Sequence, residues 1–215
     1  MAELPSLDHL HYTAFEEVYE PAEDTFLLCD GLLEDKGVLL ARGHGQVVCE
    51  LGSGSGTVIT YLALLMDDKH KCRNVYLALD VNVQASRMTQ GTALHNGAKV
   101  DSVNSSLFSG FRLPLGLDVL VFNPPYVPTP SEEVQSQGIE AAWAGGKQGR
   151  EVIDQFLPLL PRLLAPTGCC YMILVEENRP ADVSRVLAQL GFTGEVIKSK
   201  RARNELLHVM KIVRS

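Results

Sequence analysis

Positive charge is scarce and scattered in this chain, and with it the usual means of gripping a nucleic-acid backbone. Against 26 Asp and Glu, its 215 residues carry only 19 Lys and Arg, a formal charge of -7. A protein that holds duplex DNA replaces condensed counterions with clustered cations. The densest cluster here is Lys198, Lys200, Arg201 and Arg203, which reads as a solvated loop. No stable nucleic-acid binding is expected. Long apolar runs are missing too. No stretch reaches the roughly 18 residues of a membrane span, and the N-terminus mixes acidic residues and His with short apolar pieces, unlike a signal peptide. The five cysteines (Cys29, Cys49, Cys72, Cys169 and Cys170) form no C-x-x-C pair and no zinc spacing, so no metal site is expected. Cys49 and Cys170 lie in apolar, strand-like runs, where a free thiol behaves as a small buried hydrophobe. A reduced, cytoplasmic setting follows, with the nucleus as a second compartment.

What is present is apolar residue, 46% of the chain, enough for a substantial core. The length fits one domain, 1–215, with residues 1–45 as an N-terminal segment and helix and 46–215 as the core. Short apolar runs alternate with helical patterns, predicting an α/β fold with a mostly parallel sheet. The expected order is a helix over 21–33, a strand over 46–51, a helix through Leu65, and a strand over 75–79 ended by Asp80. A helix over 83–95 and a short strand near 100–103 follow, then a strand over 118–122. A loop of about twenty residues runs to Gly149, and loops of that length are usually functional or disordered. After it come a helix to Leu164, a strand over 169–175, a helix over about 180–190, and strands near Val196 and over 206–213. Seven strands are thus expected, Rossmann-like, with helices on both faces.

Between the first strand and its helix stand Gly52, Gly54 and Gly56. Glycines there let the backbone turn sharply and approach a ligand with no Cβ in the way. Such a turn commonly holds a nucleotide-like cofactor at the carboxyl edge of a sheet, although many are plain tight connections. This one departs from G-x-G-x-x-G: the third glycine comes one residue early, and Thr57 takes its place. Glu50, just before the turn, adds a carboxylate that a pyrophosphate would not welcome. Asp80, at the end of the second strand, can accept hydrogen bonds from the vicinal hydroxyls of a ribose. The plainer reading makes it a helix cap, a job Asn82 could do as well. Ribose recognition without a phosphate site points to an adenosine cofactor whose other end is not a phosphate.

Asn123-Pro124-Pro125-Tyr126 follows the 118–122 strand directly. Two prolines end the strand and fix the backbone. The Asn123 oxygen and a neighbouring carbonyl are then two rigid acceptors, matched to the two N–H bonds of an amide or amine. Tyr126 offers a flat face to a planar group. Methyl transfer from a sulfonium is an in-line displacement that positioning and electrostatics can largely carry.

VYEPAEDT (18–25), ELGSGSG (50–56), Asp80, NPPY and GIEAAWAGGKQG (138–149, containing Trp143) together resemble the HemK/PrmC-like glutamine methyltransferases, in their small eukaryotic and archaeal form. The resemblance covers essentially the whole chain. NPPY is shared with adenine-N6 methyltransferases and specifies only the acceptor chemistry; VYEPAEDT and the Trp143-bearing loop are more particular to this branch. The resemblance implies a seven-stranded class I fold and S-adenosyl-L-methionine as cofactor. It implies that the N-terminal segment covers that cofactor, with Tyr19 and Thr25 over it and Glu50 and Gly52 at its methionine part. Asp80 and Val81 would then lie at the ribose, and Ser106 and Leu107 near the adenine. Relatives usually carry an acidic residue where this chain has Ser105-Ser106-Leu107, and a hydroxyl accepts more weakly than a carboxylate. Asn123, Pro124, Pro125 and Tyr126 would form the catalytic turn, with Asn123 and Tyr126 on the substrate. The implied substrate is the GGQ glutamine of a class I translation release factor, and the implied partner a small zinc-binding activator in a heterodimer.

Competing readings are a lysine methyltransferase acting on histone H4, an adenine-N6 DNA methyltransferase and a non-catalytic cofactor-binding scaffold. An amine also satisfies two acceptors, which keeps the first open. The second needs a basic face and a means of flipping a base, neither visible in the sequence. The intact glycine turn, Asp80 and Asn123 speak against a scaffold. The early third glycine beside Glu50 disfavours a nicotinamide dehydrogenase.

Overall fold

The structure is a computed structural model that describes residues 3–67, 73–110, 113, 115–135 and 139–215. Cys72 and Gly138 lie outside those residues. The remaining cysteines, Cys29, Cys49, Cys169 and Cys170, are buried and form no disulfide among the described residues. The strands are β1 (Val47–Leu51), β2 (Val75–Asp80), β3 (Asp101–Asn104), β4 (Leu117–Phe122), β5 (Leu164–Val175), β6 (Phe192–Ala202) and β7 (Glu205–Arg214). They form one seven-stranded sheet in the order β3-β2-β1-β4-β5-β7-β6. β1 with β2, β2 with β3, and β4 with β5 run parallel; β7 is antiparallel to both its neighbours. The sheet is therefore mostly parallel, as the alternation predicts. No helix of the described residues is long and apolar enough to cross a membrane.

The chain divides into two compact units, Met1–Arg112 and Leu113–Ser215. In the first, α1 (Glu23–Glu34) and α2 (Lys36–Ala41) precede β1, α3 (Thr57–Met66) follows it, and α4 (Val83–His95) follows β2. α3 is apolar all round, and every residue but Leu64 is buried. A helix of that kind belongs in a core. Its opening Thr57, Val58, Ile59 and Thr60 are β-branched and poor helix formers, so packing rather than propensity holds it.

Gly56 begins this helix at φ 78°, and a Cβ on it would lie 2.6 Å from Thr89 Cα on α4. The third glycine is thus required by close helix packing. Gly54, at φ 51°, faces open space instead. Thr89 and Thr92 secure the contact, with Thr89 Oγ1 donating to Ser53 Oγ and Thr92 Oγ1 donating to Ser55 O.

In the second unit, the helix expected to reach Leu164 is broken into α5 (Glu151–Phe156), a 3-10 turn over Leu157–Leu159 and α6 (Leu160–Leu163). Pro158 and Pro161 each remove a backbone donor, so a continuous helix cannot form. β5 also begins five residues earlier than expected, because Leu164 pairs with Leu117 before the register shifts. Glycines permit that shift: a Cβ on Gly168 would lie 2.4 Å from Leu117 O. From Gly168 to Val175 the strand is wholly buried. α7 (Pro180–Gln189) then leads into the β6–β7 hairpin, whose strands are longer than the apolar runs suggested.

Gly56→Ala should lower stability by about 2–5 kcal/mol, from roughly 1–2 for a left-handed Cβ and 1–3 for overpacking. Gly54→Ala should cost only the left-handed share, because its Cβ meets nothing. Chemical denaturation of the two variants compares them directly; equal losses would refute the packing role of Gly56.

Candidate functional site

In the first unit, the glycine turn and Asp80 are hydrogen-bonded into one structure. Asp80 Oδ2 accepts from Gly54 N at 2.9 Å and Oδ1 accepts from Asn82 N at 2.8 Å. Each carboxylate oxygen keeps a further lone pair for a hydroxyl. The helix-cap alternative goes to Asn82, whose side chain accepts from Gln84 N at the start of α4. Burial pushes the Asp80 carboxyl up from its usual range, opposed by the N–H groups of Gly54, Asn82 and Val81.

Glu50 ends β1 almost fully buried, at 2% exposure. Its Oε2 accepts from Ile59 N at 2.9 Å, in the first turn of α3. That is where a dinucleotide fold would place a phosphate on the helix N-terminus. The protein's own carboxylate fills the place, which explains physically why the turn refuses a pyrophosphate. Burial raises the Glu50 carboxyl well above the ordinary range; the Ile59 N–H opposes this and the charge of Asp80 adds to it. Neither Glu50 nor Asp80 pairs with a cation among the described residues. Two buried acids without a counter-charge suit a positively charged ligand that carries hydroxyls.

The other residues expected at the cofactor are drawn to this end of the unit. Tyr19 Oη donates to Asp24 at 3.3 Å, and the same carboxylate accepts from the Thr25 backbone at 2.7 Å and from its hydroxyl. Val18 packs on Ala85 and Met88 of α4, and Asn82 Nδ2 donates to Glu17 O, so the 17–25 segment is anchored beside the end of β2. After β3, Asn104 Nδ2 donates to Asp80 O and Val81 O while Ser105 N donates to Asp80 O. These bonds tie the chain just before Ser106 to the end of β2, and Leu107 lies in the left-handed region at φ 48°. Asn104 is an organising residue that the motifs did not reveal, while Asp24 lies in the 18–25 stretch and gains this role from the structure. The Val81 side chain is 65% exposed.

In the second unit, Asn123-Pro124-Pro125-Tyr126 leaves the end of β4. Asn123 Oδ1 is buried and accepts no hydrogen bond among the described residues, while other contacts hold the residue. Tyr126 is 8% exposed, so a planar group would meet it inside the fold rather than on an open surface. The long loop beyond it is tied back onto the turn. Val127 N donates to Trp143 O, Gly145 N to Val127 O and Thr129 N to Gly146 O. Asn178, just after β5, was not foreseen: its amide donates to Tyr126 O at 2.9 Å. An Asn before Arg-Pro reads as ordinary helix entry, and its spacing carries no sign of this contact.

The comparisons with known proteins agree with one another. No family model matches the chain. The chain is 44% identical to human "Methyltransferase HEMK2" over 98% of its own length and 96% of that protein. It is 35% identical to "eRF1 methyltransferase catalytic subunit mtq2" of Schizosaccharomyces pombe, over 100% and 96%. Among solved structures, the E. cuniculi Mtq2–Trm112 complex, described as responsible for methylating the eRF1 termination factor, matches with TM-score 0.66 and 29% identity. That match covers 92% of this chain and 99% of the solved one.

The Glu50 environment generates a pH prediction. A carboxyl whose pKa is raised by folding holds its proton more tightly in the folded chain, so its contribution is full below the unfolded value, near 4.5, and is lost as pH rises through the folded one. Glu50→Gln keeps an acceptor for Ile59 N and removes the charge. Relative to the parent, the ligand-free variant should gain stability progressively above that unfolded value. Thermal melts across a pH series measure it; parallel curves would show that folding leaves the Glu50 carboxyl unshifted.

Proposed function

Because the chain belongs to the HemK/PrmC-like family of protein methyltransferases, we propose that it transfers a methyl group from S-adenosyl-L-methionine to the side-chain nitrogen of the GGQ glutamine of a class I translation release factor. The observation that carries the reading is the NPPY turn, fixed at its far end by Asn178 and joined to a family match over nearly the whole chain. Glu50 and Asp80 supply the buried negative charge that a sulfonium cofactor with a free ammonium needs. Glu50, Gly52, Gly54 and Gly56 would hold the methionine part, Asp80 and Val81 the ribose, Ser106 and Leu107 the adenine, with Tyr19 and Thr25 over the whole. When bound, the cofactor supplies an electrophilic methyl: the glutamine nitrogen gains an N–C bond as the S–C bond breaks, and its proton passes to solvent.

The chain's own residues do the positioning. Asn123 Oδ1 and a carbonyl of the turn accept the two amide N–H bonds and polarise the nitrogen. Pro124 and Pro125 hold these acceptors still, so no reorganisation is needed as charge develops. Tyr126 packs against the flat amide. Labelled cofactor, release factor and mass spectrometry of the GGQ peptide test the assignment; label on histone H4 lysine with none on glutamine would overturn it.

We infer in addition a small zinc-binding activator subunit at the β3 edge. β3 ends the sheet, and Val83, Leu94 and Val103 nearby are exposed. An edge strand flanked by apolar side chains is a ready template for a partner. The chain expressed alone should be poorly soluble and weakly active, and co-expression should restore both. A monodisperse, fully active lone chain would sink this inference.

Asn123→Ala separates binding from chemistry. It should lower the single-turnover rate by on the order of 10²–10³ and leave S-adenosylhomocysteine affinity nearly unchanged, since the loss falls on the transition state. Calorimetry and rapid-quench assay of the same preparation check both. Collapsed cofactor affinity with a normal saturated rate would make Asn123 a cofactor residue.

A further inference from the structure

At the centre of the NPPY turn, Pro124 and Pro125 bring no N–H, so hydrogen bonds can secure these two residues only through their carbonyls. The carbonyls of the turn are met closely by a second piece of chain. A Cβ on Gly145 would lie 2.7 Å from Pro125 O, and one on Gly149 would lie 1.8 Å from Tyr126 O. At the centre of this contact sits Asn178, with no measurable exposure.

The hydrogen bonds of Asn178 define its orientation without ambiguity. Oδ1 accepts from Val175 N at 2.8 Å, at the end of β5. Nδ2 donates to Tyr126 O at 2.9 Å, Gln148 O at 3.0 Å and Gly149 O at 3.3 Å. Its own carbonyl accepts from Arg150 Nη1 at 3.0 Å. One amide therefore joins β5, the catalytic turn and the 145–150 loop. Gln148 and Arg179 are both held in the left-handed region, at φ 58° and 54°, which non-glycine residues rarely adopt. Such strain persists only where the surroundings over-determine the backbone, and it concentrates at functional sites.

We propose that Asn178 is the positioning residue of the acceptor site: through Tyr126 O it fixes the trailing end of the NPPY turn, and the two locked proline φ angles carry that constraint back to Asn123. The proposal rests on the assignment of the NPPY turn to the amide nitrogen. Asn178 touches neither the substrate nor the cofactor, and it acts on turnover by keeping the two acceptors in register. Only a side chain with a donor and an acceptor on one planar group serves both sides of the junction. An Asp of the same shape would keep the bond from Val175 N and set a carboxylate oxygen against three carbonyls.

The test uses the chain purified with its activator subunit. Asn178→Asp should lower kcat by on the order of 10²-fold, the cost of a misplaced reacting geometry. KM for the release factor and affinity for S-adenosylhomocysteine should stay within about twofold, since uniform binding is untouched. Gly149→Ala sets a Cβ against the same Tyr126 carbonyl and the Asn178 amide nitrogen, and should lower kcat comparably. The double variant should be no worse than the poorer single one, because both act through one contact. Should Asn178→Asp not fold, Asn178→Ser takes its place, with a hydroxyl unable to span the three carbonyls. A normal kcat in the folded variant, losses that multiply in the double variant, or cofactor affinity falling in step with kcat would each overturn the proposal. Failure of the substrate assignment shows separately, as absence of glutamine methylation by the parent enzyme. Hydrogen exchange then decides alone: faster exchange at Val127, Thr129 and Gly145 in the variant supports Asn178 as the anchor, and unchanged protection refutes it.

Discussion

A buried carboxylate without a counter-charge sets the character of the first unit. Glu50 sits at the end of β1, shielded from water, and is satisfied by the N–H of Ile59 in the first turn of α3. The partial positive charge of a helix N-terminus stabilises an anion, typically by less than about 2 kcal/mol, which falls short of the cost of isolating a charge. The carboxyl therefore holds its proton well above the usual range until something cationic arrives. The same acid closes the helix N-terminus to phosphate, separating this site from dinucleotide-binding turns built on similar glycines.

The second unit solves a different problem with neutral groups. A turn with two adjacent prolines is stiff in φ but short of donors, and its carbonyls would be left exposed or unsatisfied. The chain answers with Asn178, whose amide donates to Tyr126 O, and with the 143–151 loop, whose Gly145 N donates to Val127 O and whose glycines pack against the turn carbonyls. The loop that looked like a long structureless excursion is in fact fastened to the turn at several points. Rigidity is the property that an amide acceptor demands, because an amide nitrogen is a weak nucleophile and gains most from being held and polarised. Burial pushes the Cys29 and Cys49 thiols far up, so these two remain neutral packing groups.

Much of this was legible in the amino-acid sequence. The glycine turn, Asp80, the NPPY tetrapeptide and the strand–helix alternation are signals carried within short windows, where backbone preference and side-chain chemistry act locally. Sequence therefore determined the mostly parallel sheet, most element positions to within a residue or two, and the family to which the chain belongs. It misjudged the helix before β5 because Pro158 and Pro161 act on a pattern that stays apolar throughout, and it began β5 late because the pairing of Leu164 with Leu117 is a long-range event. Only the tertiary structure decided what each of these residues is for: that Gly56 answers to Thr89, that Glu50 caps α3, and that Asn178 grips Tyr126 from fifty-two residues away. Such contacts are made to backbone carbonyls and N–H groups, which nearly every residue has, so nothing in the side-chain sequence marks where they will be used.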